Sequence, residues 1–192
     1  PNSQYALIGM LAAASIGAIW TSCSPDFGAT GVLDRFAQTQ PKVLLAADGY
    51  YYAGKWIDSR DRIAEIAASL KHLKATVLVD YLNPNDALKL SIANELPFNA
   101  SSWRSIVEAD STPERSFEAM NFSDPLYVLY SSGTTGKPKC IVHSIGGTLL
   151  QHVKELGLHT DVKVGTKLFY YTTCGWMMWN WLVSGLAMGA SI

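Results

Sequence analysis

The chain has 192 residues, 48% of them hydrophobic and 16% charged, which suits a packed core and excludes a disordered, solvating segment. Its formal net charge is −1 with no basic excess, so gripping a nucleic-acid backbone is excluded as the main role. Cys23, Cys140 and Cys174 lie far apart with no Cys-x-x-Cys pair, which signals neither a zinc site nor a disulfide framework and favours a reducing compartment.

In chain order, an Ala-rich helix is predicted over Gln4–Ser15, leading into an apolar strand, Gly17–Ser24. The uncharged run Ala6–Trp20 lacks the basic flank of a signal peptide and falls short of the roughly 20 residues of a membrane span. It reads as a buried helix. Gly31–Gln40 places Val32, Leu33, Phe36 and Ala37 on one helical face, and Pro41 ends that helix before a buried strand, Lys42–Asp48. Ser59–Leu73 sets Ile63, Ile66, Ala67, Leu70 and Leu73 at helical spacing, with Asp58 or Ser59 in position to cap the first turn. Ala75–Leu82 reads as another strand.

This alternation predicts an α/β fold with parallel-sheet βαβ units. A dinucleotide-binding domain alternates in the same way, but no G-x-G-x-x-G joins a strand to a helix here. Residues Asn83 to Asp124 are expected to form loops and short helices, with Trp103 and Phe117 pinning them to the core.

Two strands follow, Pro125–Ser131 and Lys139–Ser144, separated by the loop Ser132–Pro138, "SGTTGKP". The Walker A spacing fails, because two residues rather than four separate Gly133 from Gly136, and Lys137 is followed by Pro138. Pro138 also biases Lys137 toward extended backbone, so no helix is expected to start there. The chemistry is still that of an anion clamp. Glycines let backbone N–H groups converge, Ser131, Ser132, Thr134 and Thr135 carry hydroxyls, and Lys137 or Lys139 adds charge. A Gly/Ser/Thr-rich hairpin loop without a ligand has the same composition.

From Leu168 to Ile192 no residue is charged, and Gly185 and Gly189 make a G-x-x-x-G spacing, so this stretch is a transmembrane candidate by pattern. Thr172, Thr173 and Asn180 argue against it, and "CGWMMWNW" also reads as an aromatic-rich core helix. His143, His152 and His159 have no carboxylate or Cys partner at ligand spacing, so no metal site on protein ligands is expected.

The order of residues in "YSSGTTGKPK" resembles the phosphate loop of the acyl-adenylate-forming (AMP-forming acyl-CoA synthetase) superfamily. The pattern [Ser/Thr]-Ser-Gly-[Ser/Thr]-Thr-Gly-x-Pro-Lys is matched from Ser131 to Lys139, with Cys140 departing where many members have Gly. "MLAAASIGAIW", "SPDFGATGVLDRF", "GGTLLQHVKE" and "TTCGWMMWNWLVSGLA" narrow the resemblance to its acetoacetyl-CoA synthetase branch. The resemblance implies part of the large N-terminal domain of such an enzyme, an incomplete AMP-binding (adenylation) domain over residues 1–192 without the C-terminal domain.

It also implies a ligase using ATP with Mg2+, CoA and a small carboxylic acid, in the cytosol, with no nucleic-acid partner and no membrane span. Ser131, Ser132, Gly133, Thr134, Thr135, Gly136, Lys137 and Lys139 would hold ATP and pyrophosphate. Lys139 is the lysine that the family pattern specifies. Gly175, Trp176, Met177 and Met178 would line the acyl pocket, where adaptable methionines suit a small keto acid. Ser24, Pro25, Asp26 and Lys55 would fall near the CoA nucleotide. Lys55 stands where relatives carry Arg, which keeps the charge without the bidentate fork. No acid or base catalyst is assigned, and the chain alone is expected to be inactive. Another short-chain acyl-CoA synthetase or adenylation module, and a membrane or non-catalytic binding protein, are the alternatives.

Overall fold

A computed structural model describes residues 1–82, 99–109, 116–131 and 136–192. The chain divides into two compact units, one of Pro25–Glu114 with Pro1, the other of Asn2–Ser24 with Arg115–Ile192.

The first unit is the βαβ part. Helix α2 (Ala29–Thr39) buries Val32 and Phe36, while Ala37 on the expected face is exposed. It ends at Gln40 in the left-handed region, and Pro41 prevents its continuation. Strands β2 (Val43–Ala47), β5 (Ala75–Val79) and β6 (Asn99–Ser102) form a parallel sheet in the order β2-β5-β6. Val43 to Ala47 pair in step with Ala75 to Val79.

Helix α3 (Arg60–Ser69) is shorter than its periodicity predicts, yet all five predicted apolar residues are buried. Leu70 and Leu73 reach the core from the turn that follows the helix. The cap falls to Asp58, whose Oδ1 accepts from the Arg60 amide at 2.9 Å, while the Ser59 side chain makes no cap bond. The same Arg60 side chain, by hydrogen bond and charge, holds the Asp58 carboxyl below its ordinary range.

Two features were not legible in the pattern. Strands β3 (Gly49–Tyr52) and β4 (Lys55–Asp58) form an antiparallel hairpin turned by Ala53 (φ 48°) and Gly54 (φ 75°). Two successive left-handed residues match the twist of the flanking strands, and Ala at the first is an unusual choice. Strand β6, "NASS", carries no apolar run, and helix α4 (Trp103–Val107) follows it with the Ser102 hydroxyl accepting from Ser105 N.

The second unit contains helix α1 (Gln4–Ser15), strands β1 (Trp20–Thr21), β7 (Pro125–Tyr130) and β8 (Cys140–Ser144), and helices α5 (Ile145–Lys154) and α6 (Met177–Ser184). A π-helical turn, Glu155–His159, extends α5, and a 3-10 turn, Gly185–Met188, extends α6. The sheet order is β1-β7-β8, with β1 parallel and β8 antiparallel to the central β7. Helix α1 is not buried throughout as expected. Met10 faces the core while Ile8 and Leu11 face outward. Strand β1 is also shorter than predicted, because the chain leaves the sheet after Thr21 and the Ser22 hydroxyl turns to the Cys174 carbonyl at 2.5 Å. Met10, Tyr127, Leu129, Cys174, Trp179 and Val183 form the core.

Phe117 does not pin its segment, being 72% exposed. Nor is Leu168–Ile192 a span. Its helix runs only from Met177 to Ser184, and Gly189 (φ 78°) turns the chain so that Ser191 pairs with Lys167. Among the described residues no helix is long and apolar enough to cross a membrane.

Candidate phosphate-loop site

Strand β7 positions the loop. Tyr127, Val128, Leu129 and Tyr130 are all buried, so the strand that delivers Ser131 is fixed on both faces. The Ser131 amide donates to the Lys139 carbonyl at 3.0 Å, and the Ser131 Oγ accepts from the Lys139 amide at 2.9 Å. These two bonds hold Ser131 and Lys139 together, so the two ends of the intervening segment cannot drift apart. Pro138 is buried, whereas Gly136, Lys137 and Lys139 are exposed. The loop is thus anchored by its proline, with both lysines at the surface where an anion would meet them. Gly136 takes φ 146°, a conformation that disfavours any side chain, and no described residue stands within 4 Å of where a Cβ would be. Ser132, Gly133, Thr134 and Thr135 lie outside the described residues.

The return strand β8 passes directly into α5. Ser144 caps that helix by accepting from the Gly147 amide at 3.2 Å. Gly146 stands against the Phe122 ring, which an added Cβ would have to displace.

The acyl-pocket candidates gather at the same end of the sheet. Ser22 and Ser24 follow β1, which runs parallel to β7 with Thr21 opposite Val128. Ser22 holds the Cys174 carbonyl, and a Cβ on Gly175 would stand 3.1 Å from the Ser24 amide. Gly175 therefore lets the Trp176 turn pack against the segment leaving β1. Trp176 begins α6, where it and Met177 are exposed, Met178 is half-buried and Trp179 is 2% exposed. The aromatic-rich helix is thus core on one side and open at its first turn. Trp181 is half-buried against Leu156, Val162 and Ala190.

At the carboxyl ends of two adjacent parallel strands, β7 runs into the loop and the segment leaving β1 packs against the turn, the position where α/β sheets bind ligands. Sequence reasoning missed the residue that links the two strands. The Thr21 hydroxyl donates to the Val128 carbonyl at 2.9 Å and shares a 2.8 Å hydrogen bond with the Tyr130 hydroxyl.

Of the CoA candidates, Ser24 is buried against Gly175 in the second unit. Pro25, Asp26 and Lys55 belong to the first. There Arg62 donates to the carbonyls of Pro25 (2.8 Å) and Phe27 (3.2 Å), and Lys55 is exposed at the start of β4.

His143 and His152 are each at least partly buried. His143 stacks 5.0 Å from the Tyr127 ring and burial lowers its pKa. His152 is 5% exposed, and burial, with His143 nearby, lowers its pKa too. Among the described residues no group of three or more His, Cys, Asp or Glu side chains could hold a metal ion.

A family model described as AMP-binding enzyme matches residues 1–191. Acetoacetyl-coenzyme A synthetase of Rhizobium meliloti (strain 1021) is 49% identical over the whole chain, and acetoacetyl-CoA synthetase of Danio rerio is 47% identical, each match covering 28% of the relative. The solved structure of acetoacetyl-CoA synthetase from Streptomyces lividans superposes with a TM-score of 0.89 at 47% identity, over all of this chain and 28% of that one. The chain thus spans about 28% of the length of these relatives. A sheet end built this way and a family match that runs from the first residue almost to the last lead to one conclusion: the chain belongs to the AMP-binding enzyme family.

Proposed function

We propose that the chain is part of an AMP-forming acid–thiol ligase that converts acetoacetate, ATP and CoA to acetoacetyl-CoA, AMP and pyrophosphate. The observation that carries this reading is the identity of 47–49% across every residue to proteins named acetoacetyl-CoA synthetase. The 192 residues would be one piece of an adenylation domain, with the small C-terminal domain elsewhere in the enzyme.

In the first half-reaction a carboxylate oxygen of the acid bonds to the α-phosphorus of ATP. The bridge to the β-phosphate breaks, and pyrophosphate leaves with its electron pair. In the second, the sulfur of CoA bonds to the acyl carbon and AMP leaves. Positioning and charge stabilisation carry most of such a reaction, because side chains have little covalent work to do.

Ser131, Ser132, Gly133, Thr134, Thr135 and Gly136 would present hydroxyls and amides to the departing β- and γ-phosphates, and Lys137 and Lys139 would add charge-assisted bonds. The closed mouth at Ser131 and Lys139 supports this role, since a clamp works only if its ends are fixed. Mg2+ would arrive coordinated by the triphosphate.

Gly175, Trp176, Met177 and Met178 would contact the acid from the open first turn of α6. Ser24, Pro25, Asp26 and Lys55 would lie near CoA. A cytosolic enzyme of ketone-body and fatty-acid metabolism is the setting we infer.

The test is a carboxylate panel in ATP–pyrophosphate exchange with the full-length enzyme. Acetoacetate is expected to give the highest kcat/KM. A higher value for acetate or propionate would overturn the substrate assignment.

A further inference from the structure

Helix α6 has no side-chain cap at Trp176, and backbone bonds close the turn that opens it, from Trp176 N to the Thr173 carbonyl and from Trp179 N to the Trp176 carbonyl, both at 3.1 Å. A line of buried polar groups adds to them. His152, on α5, sets Nδ1 2.7 Å from the Ser184 Oγ. The Ser184 hydroxyl in turn donates its only proton to the Asn180 carbonyl at 3.1 Å. Both bonds are made together when the imidazole carries hydrogen on Nδ1 and donates to Ser184. Asn180 is 1% exposed, and its Nδ2 donates to the Trp176 carbonyl at 3.4 Å.

The line thus runs from α5 along α6 to Trp176. Its other end is equally fixed. Helix α5 begins at Ser144, the last residue of β8, and β8 is the strand by which the phosphate loop returns.

Apolar residues would fill these positions at lower cost. Burying an imidazole and a primary amide is unfavourable unless their bonds are made, and Asn180 Oδ1 has no partner among the described residues. What polar groups add is direction, because a hydrogen bond fixes one helix against another more narrowly than apolar contact does.

We propose that His152 is a positioning residue for the acid substrate: through Ser184 and Asn180 it fixes the Trp176 carbonyl, and with it the Trp176–Met178 turn, relative to the strand and helix that carry the phosphate loop. Burial, and then the nearby His143, lower the pKa of the imidazole, which favours its neutral form at physiological pH. The inference rests on the proposed function, in which that turn contacts the acid.

The test uses the full-length enzyme in ATP–pyrophosphate exchange, with KM measured separately for acetoacetate and ATP. His152→Leu and Ser184→Ala are expected to raise the acetoacetate KM by about three- to ten-fold, the range of one lost hydrogen bond, and to leave the ATP KM unchanged. His152→Asn keeps a donor near the Nδ1 position and is expected to restore the acetoacetate KM to within about two-fold of wild type. The double variant should be no worse than His152→Leu alone, because both remove the same link.

Unchanged kinetics, equal shifts in both KM values, additive effects, or an Asn variant no better than Leu would each overturn the inference. If His152→Leu does not fold, Ser184→Ala, which loses one oxygen, decides the matter. A wild-type enzyme with no acetoacetate-dependent exchange would defeat the proposed function instead. The network would then be judged by the same KM split with the acid that the wild type does activate.

Discussion

The amide of Lys139 donates to the hydroxyl of Ser131 at 2.9 Å, and the amide of Ser131 donates back to the carbonyl of Lys139 at 3.0 Å. One of these bonds is backbone pairing that any residue could make. The other needs a hydroxyl, so it ties the identity of residue 131 to the shape of the loop.

Ser131→Ala removes that bond and leaves the Lys139 amide to water. The loss is about 0.5–1.5 kcal/mol, enough to raise the KM for ATP by about three- to ten-fold in the full-length enzyme. Ser131→Thr keeps the oxygen and is expected to stay near wild type. Steady-state KM values for ATP check this, and an Ala variant equal to wild type would show that the mouth of the loop is closed by the backbone alone.

Two glycines near the loop are required for different reasons, and substitution separates them. At Gly146 a Cβ would stand 2.0 Å from the Phe122 ring, so Gly146→Ala forces the ring or the helix start to move. Overpacking of this kind costs about 1–3 kcal/mol, and Phe122→Ala in the same chain should recover most of it. At Gly136 no described residue lies within 4 Å of the Cβ position, but φ is 146°. Gly136→Ala is expected to lower ATP turnover with little change in Tm, because its strain is local to the loop. Thermal denaturation beside ATP turnover for the three variants reads both effects.

Expressed alone, the 192 residues are expected to form no acetoacetate-dependent AMP. The chain spans 28% of the relatives that share its sequence, and the loop and the Trp176 turn are only part of what two half-reactions need. A coupled assay of AMP release with excess acetoacetate, ATP and CoA tests this directly. Turnover above the background without acid would refute it.

Much of the fold was legible where a local rule and the tertiary structure agree. The helix Gln4–Ser15 was read to the residue, and the strand that ends at Tyr130 was read from an apolar run that is in fact buried on both faces. The family was legible for another reason, since the order of hydroxyls, glycines and lysines from Ser131 to Lys139 carried a resemblance that the family match bears out. What escaped reading depends on partners far away in sequence. "NASS" forms β6 because β5 offers it a ladder, and nothing in its own composition says so. The hairpin of β3 and β4 turns on Ala53 and Gly54 rather than the Asn-Gly that signals such a turn. Leu70 and Leu73 kept helical spacing past the end of their helix, because burial is what the spacing reports and a turn can deliver it too. The line from His152 to Trp176 spans 24 residues and needs two helices side by side before it exists.

The thiol of Cys174 sits in the core with Met10, Tyr127, Leu129, Trp179 and Val183, and burial pushes its pKa from 9.0 up to about 11. The folded chain therefore holds this proton over a range in which the unfolded chain has released it. The unfolded state binds fewer protons there, so stability must fall as pH rises. The contribution is fully present below pH 9 and is lost progressively toward pH 11, for a total of about 2–3 kcal/mol. Lysines and tyrosines titrate in the same window, so the wild-type curve alone cannot isolate the thiol. Cys174→Ala removes it, and the difference between the two urea midpoints as a function of pH does isolate it. The wild type is expected to lose stability more steeply than the variant between pH 9 and pH 11. Parallel curves would mean that water reaches the sulfur in the folded enzyme, and that the core between β7 and α6 is looser than its packing implies.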